Sequence, residues 1–322
     1  MTQSSFGRVL ITGGAGFIGS HLVDALLASG AERVVVVDTF FLGSEDNLAD
    51  AQAKAGDSLV VYREDAADFG AMSEICRTEK PDLVFNLATK ALLYSFFNPS
   101  GACRVNLDIA LTLCELQRAG AFGRLVHSSS SEVYGTARFV PMTEDHPLNA
   151  ETTYAAGKAA ADLAVAAYVR MFDLDAVTVR PFNNYGPRQN EGAFAAVIPL
   201  TVKRILEGTQ PIIQGDGSQT RDFIYVMDSV DAMLRIAATD VQGETLNVGS
   251  GIETSITTIV ETIVDHLGWD GGIHHEPARK ADVLRLCAGV DNAQNLVGPL
   301  ATTSLADGLA KTIDWYVEHR PS

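Results

Sequence analysis

The segment Thr12-Gly13-Gly14-Ala15-Gly16-Phe17-Ile18-Gly19 constrains this 322-residue chain more than any other. It follows an apolar strand-like run, Val9–Thr12, and leads into a helix-period segment, His21–Ala28. Glycines in such a turn let the backbone approach a pyrophosphate, which then rests on the free N–H groups at the positive end of the helix. Gly13, Gly16, Phe17, Ile18 and Gly19 are therefore candidate cofactor contacts. Tight turns also use glycine, so the context decides. A second apolar run, Val34–Val37, ends in Asp38, nineteen residues past Gly19. A carboxylate there accepts from both ribose hydroxyls of a dinucleotide and repels a 2′-phosphate, which favours NAD over NADP.

Further apolar runs are Leu59–Tyr62, Leu83–Leu87, Leu125–Ser128 and Ala176–Arg180, with helix-period segments such as Ala155–Tyr168 between them. Continuous apolar strands joined by helices imply a parallel sheet covered on both faces, an α/β fold of the Rossmann-type doubly wound class. After Pro181 the pattern loosens, punctuated by Gly186-Pro187, Gly215-Asp216-Gly217 and Gly249-Ser250-Gly251. The expectation is an NAD-binding Rossmann domain over 1–180 and a smaller C-terminal α/β substrate lobe over 181–322, with elements near 222–248 returning to the first domain.

Charge narrows the partners. With 24 basic against 40 acidic residues the net charge is −16, a surface that repels nucleic acid and anionic membranes. An anionic small substrate would need a local basic pocket against that field. The four cysteines form no C-x-x-C pair, and His274-His275 stands without the further ligands a metal requires, so no metal is expected. No apolar stretch of about 18 residues and no leader-like N-terminal run occurs, which points to a cytoplasmic protein with reduced thiols.

Ser128-Ser129-Ser130-Ser131-Glu132-Val133-Tyr134-Gly135 leaves the fifth strand-like run, and Tyr154-Ala155-Ala156-Gly157-Lys158 opens an Ala-rich helix. Tyr154 and Lys158, four apart, share one helix face, so the ammonium can lie near the phenol. That charge and a bound nicotinamide cation would lower the phenol pKa toward neutrality, making a base for a sugar hydroxyl that Ser130 steadies. A Y-x-x-x-K pair arises by chance on many helices and a serine run is usually loop; beside a complete dinucleotide motif the catalytic reading is favoured.

The G-x-x-G-x-x-G spacing and these two segments resemble the extended short-chain dehydrogenases/reductases, and the stretch from Gly13 to about Asp231 resembles their NAD-dependent nucleotide-sugar epimerases and dehydratases. The resemblance implies that Asp65 and Ala66 meet the adenine, and that Leu87, Ala88, Thr89, Ser128 and Pro181 line the cofactor with Tyr154 and Lys158. Arg180-Pro181-Phe182-Asn183-Asn184-Tyr185-Gly186-Pro187-Arg188 looks like the family's R-x-F-N-x-Y-G-P-R stretch, with Asn183 on the diphosphate side of the substrate and Arg188 beside the sugar. Lys90 keeps an epimerase-like spacing to Ser95 and Pro99. Ala193–Pro199 resembles a nucleobase-covering segment and includes Val197. Arg221 and Arg279 stand where the family pairs arginine with pyrophosphate, followed in Arg279-Lys280-Ala281-Asp282 by a ribose-binding acid, Asp282. The implied partner is a nucleotide-diphosphate sugar, and the implied assembly is a homodimer pairing the Tyr154 helix with the helix near Asn106–Gln117.

Members of this family oxidise the sugar at C4 and differ in the fate of the resulting 4-keto sugar. Glu132 sits where dehydratases and decarboxylases carry a Glu for C5 chemistry, whereas Ser131 replaces the dehydratases' proton donor and the later segments look most like 4-epimerases. A UDP-hexose or UDP-hexuronic acid 4-epimerase is therefore favoured. An NDP-sugar dehydratase or UDP-glucuronic acid decarboxylase is the alternative. Intact Ser130, Tyr154 and Lys158 argue against a non-catalytic NAD-binding protein.

Overall fold

A computed structural model describes residues 6–192, 194–278 and 283–319. The first half alternates strand and helix: β1 (Arg8–Thr12), α1 (Phe17–Ala28), β2 (Arg33–Val37), α2 (Asp46–Ala55), β3 (Leu59–Tyr62), α3 (Phe69–Glu79), β4 (Leu83–Asn86), α4 (Pro99–Arg118), β5 (Arg124–Ser128), α5 (Thr153–Phe172) and β6 (Asp175–Pro181). Then come β7 (Asn183–Tyr185), α6 (Val197–Leu206), β8 (Ile212–Gln214), β9 (Thr220–Tyr225), α7 (Val226–Ala237), β10 (Thr245–Val248), β11 (Glu253–Ser255), α8 (Ile256–Leu267), β12 (His274–Glu276), α9 (Asp291–Val297) and α10 (Leu305–Glu318).

Seven strands form one sheet in the order β10-β6-β5-β4-β1-β2-β3, every neighbouring pair parallel. The unbroken apolar runs follow from this: helices cover both faces, so Val9, Leu10 and Ile11 of β1 and Val34 to Val37 of β2 are all fully buried. The order reverses between β1 and β4, and in open α/β sheets ligands bind at the carboxyl ends of strands flanking such a reversal.

Residues beyond Pro181 contribute to two places. β10 extends the large sheet beside β6, with Thr245 opposite Thr178 and Val248 opposite Pro181, and α7 packs on α1. The remainder builds a small sheet β11-β9-β7, a two-stranded pair β12-β8, and the packed helices α6, α8 and α10. Asp222 ties these parts together. Its buried carboxylate accepts from the backbone N–H groups of Ser250, Gly251 and Ala288 and from the Ser250 hydroxyl, so the polar group is fully satisfied where it is buried. Among the described residues no helix is long and apolar enough to cross a membrane.

Candidate active site

A cleft of about 600 Å³ runs along the carboxyl ends of the strands, between the large sheet and the later elements. With the exception of Arg279 and Asp282, which lie outside the described residues, every candidate site residue of the sequence lines it.

On the cofactor side the turn after β1 is held by the Gly13 N–H, which donates to the Val37 carbonyl at 2.8 Å. Gly13 has φ +74°, and a Cβ there would sit 2.7 Å from the Ala88 nitrogen, so conformation and close approach both demand glycine. Gly16 caps α1 without a side-chain acceptor for its first N–H groups, the arrangement that suits a phosphate anion. Asp38, at the end of β2, accepts from the Ala15 N–H at 3.0 Å and the Phe40 N–H at 2.8 Å. Burial raises its pKa and those two bonds pull against the rise. The bonds fix the carboxylate and leave lone pairs for ribose hydroxyls. Asp65 and Ala66 follow β3, with Asp65 accepting from the Ala67 N–H at 2.9 Å, and Leu87, Ala88 and Thr89 follow β4. These residues fit NAD: a cradle only glycine allows, open helix N–H groups, and an acid at the ribose position.

The candidate reacting groups come from β5 and α5. Thr152 caps α5, and Ser95 accepts from the Tyr154 N–H at 3.0 Å, which sets the tyrosine at the first turn. Lys158, one turn on, is buried and donates from Nζ to the Ser128 carbonyl at 2.7 Å. Burial lowers its pKa to about 8, with Asp162 pulling the other way. Ser130 caps the short turn Ser131–Tyr134 and accepts from the Glu132 N–H at 3.2 Å. Burial pushes the Tyr154 phenol up to about 12, Ser130 and Thr89 lower it, and Glu132 raises it. The expectation of a phenol drawn down by the chain's own ammonium therefore needs correction. Desolvation outweighs the protein's own stabilising groups; a bound nicotinamide cation would act against it. Ser131 is buried, and Ser130 and Glu132 face the cleft on either side of it.

On the substrate side Asn183 Oδ1 is buried with no hydrogen-bond partner among the described residues, at the cleft wall. Such an orphaned polar atom is costly unless a ligand meets it. Lys90 Nζ lies 3.4 Å from the centre of the Phe41 ring, a cation–π contact. Arg188, with φ +64°, pairs with Asp24 of α1 at 2.7 Å. Its charge is thus partly spent on the protein; Lys90 and the buried Arg221 also line the cleft. Val197 opens α6. Phe41, Asn184 and Gln219 also line the cleft; Phe41 carried no sequence signal, as a loop aromatic outside any motif, and Asn184 stands at the variable position of the R-x-F-N-x-Y-G-P-R stretch. Phe41 and Phe194 each pack edge-on against Tyr94, with centroids 5.4 and 5.8 Å apart, across the cleft mouth.

A family model described as GDP-mannose 4,6 dehydratase matches residues 10–312. The chain belongs to the extended short-chain dehydrogenases/reductases, among the NAD-dependent nucleotide-sugar epimerases and dehydratases. It is 35% identical over 311 residues to a UDP-glucose 4-epimerase of Mycolicibacterium smegmatis, covering 96% of this chain and 98% of that one. It is 31% identical over 309 residues to UDP-glucuronic acid decarboxylase 6 of Arabidopsis thaliana, covering 94% and 86%. DesIV, a dTDP-glucose 4,6-dehydratase of Streptomyces venezuelae crystallised with NAD bound, superposes with a TM-score of 0.91 at 33% identity, covering 97% of this chain and 98% of that one. Three reactions are thus represented at similar distance, all on one NAD-dependent scaffold.

Proposed function

We propose that this protein is an NAD-dependent nucleotide-diphosphate-sugar 4-epimerase acting on a UDP-hexose or UDP-hexuronic acid. Tyr154 takes the proton of the sugar 4-hydroxyl while Ser130 holds that oxygen. Gly13, Gly16, Gly19 and Asp38 would hold NAD along the glycine turn, where it would supply a reversible acceptor for the C4 hydride. The transient 4-keto sugar rotates within the cleft and is reduced on its other face, with the proton handed back from Tyr154. Asn183 and Arg221 hold the diphosphate, and on the family motif Arg279 is assigned there too, with Asp282 on the ribose.

The observation that carries the choice of reaction is the pair Ser131 and Glu132. Dehydration needs an acid to protonate the departing 6-hydroxyl, and the residue at that position is a buried serine, a poor donor. Decarboxylation is the second reading, favoured by Glu132 at the cleft wall and by the Arabidopsis relative.

Substitution of Glu132 and Tyr154 separates the readings. In an epimerase C5 is never deprotonated, so Glu132→Gln keeps substantial turnover, whereas Tyr154→Phe loses roughly 10²–10⁴-fold as expected for a lost general base. Proton NMR of UDP-glucose, UDP-N-acetylglucosamine and UDP-glucuronic acid after incubation in heavy water reads the outcome. Deuterium at C5 together with an inactive Glu132→Gln variant would transfer the assignment to C5 chemistry.

A further inference from the structure

Beneath the cleft floor lies a buried polar chain that the proposed mechanism does not use. Asp162 stands one helical turn beyond Lys158 on α5, on the same inward face. Arg180 of β6 donates from Nε to Asp162 Oδ2 at 2.9 Å and from Nη1 to the Tyr134 hydroxyl at 2.9 Å. The Tyr134 hydroxyl in turn donates to Asn247 Oδ1 on β10 at 2.8 Å. The other Asp162 oxygen, Oδ1, has no hydrogen-bond partner among the described residues and lies 3.6 Å from His127 Nε2 on β5. Asp162, His127, Lys158 and Arg180 are all at least nine-tenths buried, so charges here interact through protein rather than water. Asp162 does not reach the cleft.

We propose that Asp162, clamped by Arg180, is a positioning residue that biases the one proton shared by Tyr154 and Lys158 toward the lysine in the NAD-loaded protein, against the burial that favours the phenol, so that the tyrosine oxygen can act as base. The inference rests on Tyr154 being that base, whichever sugar reaction it serves. The physical argument is one of distance along a helix. Once the pair has lost one proton, the remaining proton can sit on the lysine, as ammonium beside phenolate, or on the tyrosine, as phenol beside neutral amine. Only the first arrangement is active. A fixed negative charge one turn from Lys158 and two turns from Tyr154 favours the positive charge on the nearer group.

Asp162 works against its surroundings: burial lowers Lys158 and raises Tyr154, and Glu132 raises Tyr154 further, all of which favour the phenol. From α5, Asp162 opposes the burial that lowers Lys158. From β5, His127 is held neutral by burial and so adds no competing charge. From β6, Arg180 engages Asp162; burial alone would raise the Asp162 carboxyl, but His127 and Arg180 hold it below its ordinary value, so it stays ionised. The short turn after β5 brings Glu132 toward Tyr154 and not toward Lys158. From α4, Cys103 backs α5 at Gly157, and Glu115 is engaged at the far end by Tyr168 and Arg118.

The test is an ultraviolet pH titration of phenolate in the NAD-loaded protein, with the NAD-loaded Tyr154→Phe variant subtracted so that only Tyr154 is read. In Asp162→Asn, removing the negative charge makes the first proton leave the pair more easily, so the midpoint moves to lower pH. The remaining proton then shifts toward the phenol, so the height of the phenolate step falls, from about three-quarters to about one-quarter of a full step where a one-unit change straddles equal partition. Lower midpoint with lower height is the expected pair of signs. A midpoint that stays or rises, or a height that does not fall, overturns the proposal, since a merely structural Asp162 would change stability and leave both untouched. Asp162→Asn leaves Arg180 buried and unpaired, which destabilises. The double variant Asp162→Asn/Arg180→Gln removes both charges, keeps two amides that can bond, and is read by the same two signs. If the unsubstituted protein gives no Tyr154-dependent phenolate step at all, the base assignment itself falls, an outcome distinct from failure of the Asp162 argument.

Discussion

Asp38 shows how one side chain can be legible in sequence and still gain from structure. Its place after an apolar run identifies the ribose acid. The structure adds that both oxygens are already anchored by backbone N–H groups, so the carboxylate cannot swing away from a 2′-phosphate. NAD should therefore bind far more tightly than NADP, and Asp38→Ala should narrow the difference; dissociation constants from quenching of intrinsic fluorescence check this. Motif residues such as Gly13, Tyr154 and Lys158 are readable because the chemistry fixes both residue type and spacing. Asp162 could have been read from its four-residue offset to Lys158, since that offset is a helix-face signal. Phe41 could not, because nothing local marks a loop aromatic that covers a lysine. The Tyr154 phenol stands higher than expected because sequence shows the neighbouring charge and hides the desolvation.

At the scale of elements, α5 carries both the candidate reacting pair and a close contact with α4. A Cβ on Gly157 would meet the Cys103 carbonyl oxygen and come within 2.8 Å of its Cα. Gly157→Val should cost about 1–3 kcal/mol as an overpacked contact, with NAD affinity lost alongside, measurable by thermal denaturation and titration. The alanines of this helix divide: Ala155 and Ala161 are buried, while Ala156 is exposed and Ala159 and Ala160 partly so. Leu163, Met171 and Phe172 project from the same helix at 60, 69 and 43% exposure, apolar area that a monomer seldom leaves bare. The proposed homodimer through α4 and α5 should appear by light scattering at micromolar concentration, and Leu163→Glu should dissociate it. Strands β1 to β6 are readable to within a residue or two as unbroken apolar runs, whereas β10 is anticipated only as an element near 222–248 returning to the first domain. The three-residue strands β7, β8, β11 and β12 leave no such record; each is held by neighbours distant in sequence, as His274 of β12 is by Ile212 of β8.

For the whole molecule, the order of the large sheet carries a consequence for biosynthesis. β6 ends at Pro181, and the strand that pairs with its outer edge, β10, begins some sixty residues later at Thr245. At synthesis rates of about 5–20 residues per second, that edge stands open for seconds, with unpaired N–H and C=O groups able to accept a strand from another chain. The face of α1 that α7 covers waits longer still, from Ala28 to Val226. A chain halted at Pro181 should then be protease-sensitive and prone to associate, while one halted beyond Val248 should protect β1 to β6; limited proteolysis of arrested chains reads the difference. The detour through the later elements thus makes completion of the cofactor-binding sheet depend on the substrate-facing segments having been synthesised, so a chain truncated between them would fail to hold NAD before it ever met a sugar.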